Sequence, residues 1–171
     1  MLSTFSLIDT FVFDVDGVLT DGTLLVMPGG EMVRKMSIRD GYALQLAVKQ
    51  GYRVTIISGG ISEPVRERLG KLGVKDVFMG VTDKKAVLLE YLEKVGGSTS
   101  STLFMGDDMP DIEAMTQCAL PCCPADACTE VKAISRYISP VAGGFGAGRD
   151  VIEKVLKLHG KWQTVEGTSS R

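Results

Sequence analysis

Short apolar runs separated by amphipathic stretches leave this chain few folds to adopt. The runs are IDTFVFD (Ile8–Asp14), YRVTIIS (Tyr52–Ser58), KDVFMG, TLFMG (Thr102–Gly106), CALPCC and SRYIS. Between them lie helical patterns over Asp40–Gly51, Ser62–Gly73, Thr82–Gly97 and MPDIEAMTQ, and RDVIEKVLKLHG closes the series. Ser62 is placed as an N-cap, with Pro64 in the first turn and Gly73 at the far end. Strands alternating with helices of this length form parallel βαβ units, because each crossover helix must cover the sheet it returns to. The expected fold is a three-layer, doubly wound, mostly parallel α/β sheet. One segment breaks the alternation: Thr23–Met27 and Met32–Ile38 flank a Pro-Gly-Gly turn and read as a β-hairpin, about 23–38, inserted after the first strand.

A chain of 171 residues, 44% hydrophobic and with a net charge of −2, has room for one core. A single domain is expected over 1–160, with a disordered tail over 161–171. The 19 basic residues are spread thinly and balanced by 21 acidic ones, which argues against nucleic acid or an anionic membrane as partner. No apolar run approaches the ~18 residues of a membrane span, and the N-terminus lacks the basic start of a signal peptide. It reads as the lead-in to the first strand of a cytoplasmic protein. Cys118, Cys122, Cys123 and Cys128 have no metal-ligand spacing and read as reduced, buried thiols. His159 ends the last helix, where the dipole favours it, and is given no catalytic role.

In an open α/β sheet, ligands bind outside the carboxyl ends of the strands. The first run ends in Asp14 and Asp16 (FDVDGVLTDG), the second in Ser58 (IISGG), and the fourth in Asp107 and Asp108 (MGDDMPD). Gly17, Gly59 and Gly106 leave backbone room beside them. Carboxylates gathered at one edge repel each other unless a cation lies among them, and hard oxygen ligands of this kind suit Mg²⁺. Lys84, at the start of the helix after the third run, supplies a fixed positive charge. Asp-x-Asp-Gly alone is an ordinary turn; the weight lies in all these groups following apolar strands in order.

With those residues in hand, the chain resembles the haloacid dehalogenase superfamily of phosphohydrolases. DVDGVLTDG, IISGG, the helix-start lysine and GDDMPD are similar to its four motifs, and the resemblance covers about residues 8–159. Within it the chain resembles the small, cap-less phosphatases of 3-deoxy-D-manno-octulosonate 8-phosphate. The DGVLTDG opening, the hairpin, the RDGYALQLA helix and the GGFGAGRD segment carry that likeness. The resemblance implies a phosphoric monoester hydrolase in which Asp14 is the nucleophile and Asp16 the general acid and base. It implies that Asp14, the backbone carbonyl of Asp16 and Asp107 hold Mg²⁺, with Asp108 and Asp111 in support. Ser58, Gly59 and Lys84 would hold the phosphoryl group.

Neither the stretch from Asp14 to Ser58 nor that from Ser58 to Lys84 is long enough for a cap domain. The resemblance implies a homotetramer instead, with hairpins joined and a neighbour closing each site. A hairpin folded onto its own sheet is the alternative. The resemblance implies a phosphorylated keto-deoxy sugar acid as the small-molecule partner, whose carboxylate calls for basic residues at the mouth: Arg66, favoured by the resemblance, with Arg39, Arg68 and Arg149. Relatives acting on nine-carbon acids carry Glu where this chain has Gly60, which leans towards the eight-carbon substrate. The alternatives are a phosphatase of 2-keto-3-deoxynononate or N-acylneuraminate 9-phosphate and, remotely, a receiver-type phosphoacceptor. A receiver places its phosphorylated Asp after the third strand, and here that strand ends FMG.

Overall fold

A computed structural model describes residues 2–168. Its elements run α1 (Leu2–Phe5), β1 (Thr10–Phe13), β2 (Leu25–Val26), β3 (Met32–Val33), α2 (Ile38–Lys49), β4 (Arg53–Ile57), α3 (Glu63–Lys71), β5 (Asp76–Phe78) and α4 (Lys84–Val95). They continue with β6 (Thr102–Met105), α5 (Ile112–Met115), β7 (Leu120–Cys123), α6 (Thr129–Ile134), β8 (Tyr137–Ile138) and α7 (Ala147–Leu158). Six strands form one sheet in the order β5-β4-β1-β6-β7-β8, and every pair in it is parallel.

The side-chain period of two divides each central strand between two cores. Phe11 and Phe13 of β1, Val54 and Ile56 of β4, and Leu103 and Met105 of β6 face a core shared with α2, α3 and α7. Val12, Ile57 and Phe104 face the opposite core, with Leu88 and Leu92 of α4, Met115 of α5 and Val131 of α6. Each fully buried side chain of this size contributes about 2 kcal/mol, so β1, buried on both faces between β4 and β6, is a rigid mount. Asp14 is the next residue.

The hairpin is a separate two-stranded sheet, with Leu25 opposite Val33 and Val26 opposite Met32. Its second strand stops at Val33, short of the expected Ile38. Past Val33 the chain no longer pairs with β2: Met36 bridges to Thr20, and the Ser37 hydroxyl accepts from the backbone N–H groups of Arg39 (3.2 Å) and Asp40 (3.4 Å), so α2 begins at Ile38. Two short helices were not expected. The lead-in to β1 coils into α1, and Phe5 packs edge-on against Tyr137 with ring centroids 5.3 Å apart. Residues after Cys128 coil into α6.

The start of the expected tail is laid on the domain. Trp162 meets the Tyr42 ring at 6.2 Å, the Arg149 guanidinium lies 5.3 Å from its centroid, and Lys49 Nζ donates to the Glu166 carbonyl at 3.2 Å. A large aromatic ring recovers enough burial to order a short segment that is otherwise polar. The remainder of the expected tail, 169–171, lies outside the described residues. Among those described, no helix is long and apolar enough to cross a membrane.

Candidate active site

The topology makes neighbours of the three motif-bearing strands, since β4, β1 and β6 are adjacent. Their carboxyl ends open into a cleft of about 490 Å³ lined by Asp14, Asp16, Ser58, Gly59, Lys84 and Asp107, among others. Six expected site residues thus come together from four separate stretches of chain.

At its floor Lys84, buried at the first turn of α4, donates from Nζ to Asp14 Oδ2 at 2.8 Å and to Asp111 Oδ1 at 2.7 Å. Asp14 Oδ1 accepts from the Val15 N–H at 2.6 Å. The other oxygen of Asp111 accepts from the backbone N–H groups of Asp107 (3.0 Å) and Asp108 (3.3 Å), which ties the fourth motif into a fixed loop. Asp111 was expected in support; it also presents an oxygen to the cluster itself. One carboxylate oxygen each from Asp14, Asp107 and Asp111 lie within 4.8 Å of one another.

Burial raises the Asp14 carboxyl above its ordinary value, and Asp111 adds to the rise, with Lys84 opposing both. Asp107 is pushed up to about 7, by burial first and then by Asp111, Asp14 and Asp108. Burial alone would lower Lys84, but Asp14 and Asp111 outweigh it and its pKa rises. One lysine therefore does not neutralise the cluster. A divalent ion bound by oxygen is the group that this donor set and its excess negative charge fit.

Glycines give the cluster its tightness. Gly17 has a φ of +81°, and a Cβ there would stand 1.9 Å from Asp107 Oδ2. The glycine-rich segment before the last helix is wedged under the first motif. A Cβ on Gly143 would lie 1.9 Å from the Gly17 carbonyl oxygen, and the Gly144 N–H donates to Val18 O at 3.0 Å.

The expected substrate arginines are elsewhere in the single chain. Arg66 turns away from the cleft, donating from Nη1 to the Val77 carbonyl at 2.6 Å and pairing with Glu63. Arg39 and Arg149 line a separate pocket with Tyr42 and Trp162, and Arg149 Nε donates to Glu153 at 3.1 Å. Among the described residues, the arginine that reaches the site is Arg34, from the hairpin. Its Nε donates to Asp16 Oδ1 at 2.7 Å and its Nη2 to Asp16 Oδ2 at 3.0 Å. No sequence signal marked it, because the two residues meet only through the fold of the hairpin. Arg34 and Arg68 also line a second, larger cleft of about 660 Å³ between the hairpin and α3.

A family described as haloacid dehalogenase-like hydrolase matches residues 71–143. The 3-deoxy-D-manno-octulosonate 8-phosphate phosphatase of Haemophilus influenzae is 32% identical over 150 residues, 88% of this chain and 83% of that protein. A crystal structure of the phosphatase of that name from Yersinia pestis superposes with a TM-score of 0.92 at 28% identity, covering 99% of this chain and 90% of that one. The Moraxella catarrhalis phosphatase, solved with magnesium, phosphate and KDO, superposes at 0.89 with 32% identity, covering 92% of this chain and 90% of that one. By its sequence, its parallel sheet and its strand-end carboxylates, the chain is a phosphoric monoester hydrolase and belongs to the 3-deoxy-D-manno-octulosonate 8-phosphate phosphatase family of haloacid dehalogenase-like hydrolases.

Proposed function

We propose that the chain hydrolyses 3-deoxy-D-manno-octulosonate 8-phosphate to the free sugar acid and phosphate, in two displacements at phosphorus. The observation that carries this is the buried Asp14 carboxylate at the end of β1, held by Lys84 beside Asp107 and Asp111. A carboxylate fixed on a rigid strand end is positioned for attack and costs little to orient. In the first displacement an Asp14 oxygen bonds to phosphorus, the ester P–O bond breaks, and Asp16 gives its proton to the departing sugar oxygen. In the second, Asp16 takes a proton from water, whose oxygen bonds to phosphorus and releases Asp14 with inorganic phosphate. Lys84 uses two of its three N–H donors on Asp14 and Asp111; the third is left for a phosphoryl oxygen. Ser58 and the backbone at Gly59 hold the others. Asp14, Asp107 and the carbonyl of Asp16 would hold Mg²⁺, which when bound neutralises the carboxylates and the phosphoryl oxygens.

The substrate enters on the hairpin side, and the hairpin shapes the assembly. Leu25 is 63% exposed and Val26 68%, on opposite faces of β2. A lone two-stranded hairpin is marginal in water, so an apolar one projecting from the domain favours self-association over folding back. The assembly is a homotetramer in which neighbouring chains close each other's sites and bring basic residues to the mouth.

Turnover of phosphorylated sugar acids, with EDTA and then with added Mg²⁺, tests this reading. Highest kcat/KM is expected on the eight-carbon ester, with loss of activity in chelator. Full activity in EDTA would sink the metal assignment, and preference for a nine-carbon ester would move the substrate assignment to those acids.

The metal has a readout independent of turnover. With Asp107 raised from 3.8 to about 7, the metal-free folded chain holds a proton that the unfolded chain releases above about pH 4. Metal-free stability therefore falls as pH rises from about 4 to 7. Mg²⁺ binds the ionised carboxylates, so its stabilising effect grows over the same window. The expected result is a Mg²⁺-induced rise in Tm that is clearly larger at pH 8 than at pH 5. Equal shifts at the two pH values would mean that these carboxylates are not the ligands.

A further inference from the structure

We infer that Arg34 is a positioning residue for Asp16, delivered by the hairpin, and that Gly60 is the gap that lets it reach. The inference rests on Asp16 acting as the acid and base. The guanidinium meets both carboxylate oxygens through two parallel N–H···O contacts, at 2.7 and 3.0 Å, an arrangement that fixes the plane of the carboxyl as well as its position. The arginine is the buried partner: its side chain is 7% exposed, against 35% for Asp16. Its remaining nitrogen, Nη1, donates back to the Met32 carbonyl at 3.4 Å, so the group is braced from the strand that carries it. Without the fork a one-third-exposed carboxyl would rotate among solvated orientations.

Gly60 stands directly against this pair. A Cβ built there would lie 2.8 Å from Asp16 Oδ2 and 3.0 Å from Arg34 Nη2, closer than such contacts tolerate. Both atoms are side-chain ends, so an added methyl would displace the fork and leave the backbone in place. Glycine at 60 thus has a local cause: the space a side chain would fill is occupied by the ion pair.

The fork has a consequence for the chemistry. As Asp16 gives its proton to the leaving oxygen it becomes a carboxylate, the form that a bidentate arginine holds best. Arg34 therefore favours the transition state in which a poor leaving group is protonated, and then keeps the carboxylate aimed for the proton it takes from water. An aryl ester whose leaving group departs as a stable anion needs no such proton. The two kinds of ester should respond differently to loss of the fork.

The test compares kcat/KM, which reports the steps through departure of the leaving group, for the sugar-acid 8-phosphate and for p-nitrophenyl phosphate. Arg34→Met should lower the value for the sugar ester about 30-fold, a part of the roughly hundred- to ten-thousandfold that a positioned acid contributes, and that for the aryl ester by less than about 3-fold. Arg34→Lys should recover part of the loss, since it restores the charge without the fork. Gly60→Ala should reproduce Arg34→Met with an unchanged Tm. In an Asp16→Asn background, followed at high enzyme concentration, Arg34→Met should add no further loss. Equal falls on both esters, or a full Arg34 effect persisting without Asp16, would overturn the inference. If Asp16→Asn itself spares the sugar ester, the acid–base reading fails and takes this inference with it. If Asp16→Asn is impaired and Arg34→Met is not, only the inference about Arg34 fails.

Discussion

Asp14→Asn is expected to abolish turnover, a loss of at least about ten-thousandfold, or roughly 5.5 kcal/mol in the barrier. An amide of the same shape cannot attack phosphorus, and no other carboxylate can take its place. Asp111 is turned towards Lys84 and the backbone of its own loop, and Asp16 is held by Arg34. The fold should survive. An Asn oxygen still accepts from the Val15 N–H, Lys84 keeps Asp111, and one member of a crowded set of buried acids is removed. The variant is thus expected to melt at or above the wild-type temperature in the absence of metal. Wild type quenched in acid during turnover should carry phosphate on the peptide containing Asp14, seen by mass spectrometry, and the variant should carry none. Retention of more than about a hundredth of wild-type activity, a barrier change under roughly 3 kcal/mol, would remove Asp14 from the role of nucleophile.

What was legible in the sequence was whatever is encoded locally. Phe11-Val12-Phe13 and its counterparts are β-branched and aromatic runs bounded by turn residues, and they form the strands expected of them. Because ligands gather at the carboxyl ends of such strands, the residues after three of them could be placed in one cleft without knowledge of strand order. Pairings between distant residues were not legible. Arg34 reaches Asp16 across the hairpin, and nothing in VRKM separates it from Lys35, which pairs with Asp21 on the surface. Arg66 lies two residues before Arg68 on the same helix; the backbone carbonyl of Val77 claims the first, while the second lines the larger cleft. The Gly143–Gly144 segment reads as a flexible loop by composition, yet its glycines are needed because the backbone of Gly17 and Thr20 leaves no room for a side chain. Glycine marks both freedom and close approach, and only the fold distinguishes them.

Charged substitution of the hairpin should separate the subunits and remove activity together. Leu25 and Val33 lie directly opposite each other, so their side chains share one face of the hairpin. Replacing them as a pair, Leu25→Lys with Val33→Glu, sets opposite charges across the strands and preserves the hairpin. It also places two charges where a neighbour's apolar surface would have to desolvate them, at a cost of several kcal/mol. Wild type should scatter light as four chains and the double variant as one, with Tm little changed, since the six-stranded sheet and both cores lie elsewhere. Activity of the separated subunit should fall below about a tenth of wild type, a barrier change of at least about 1.4 kcal/mol. Each subunit retains Asp14, Lys84 and Asp107, but its cleft opens to water on the hairpin side, and an open site loses the exclusion that sharpens its electrostatics. The hairpin also carries Arg34, so a freed hairpin loosens the group that holds Asp16. Light scattering and turnover read on the same samples separate the two parts of the argument. A tetramer with low activity would mean that Leu25 and Val33 face the substrate; a folded, fully active monomer would mean that the site is complete within one chain.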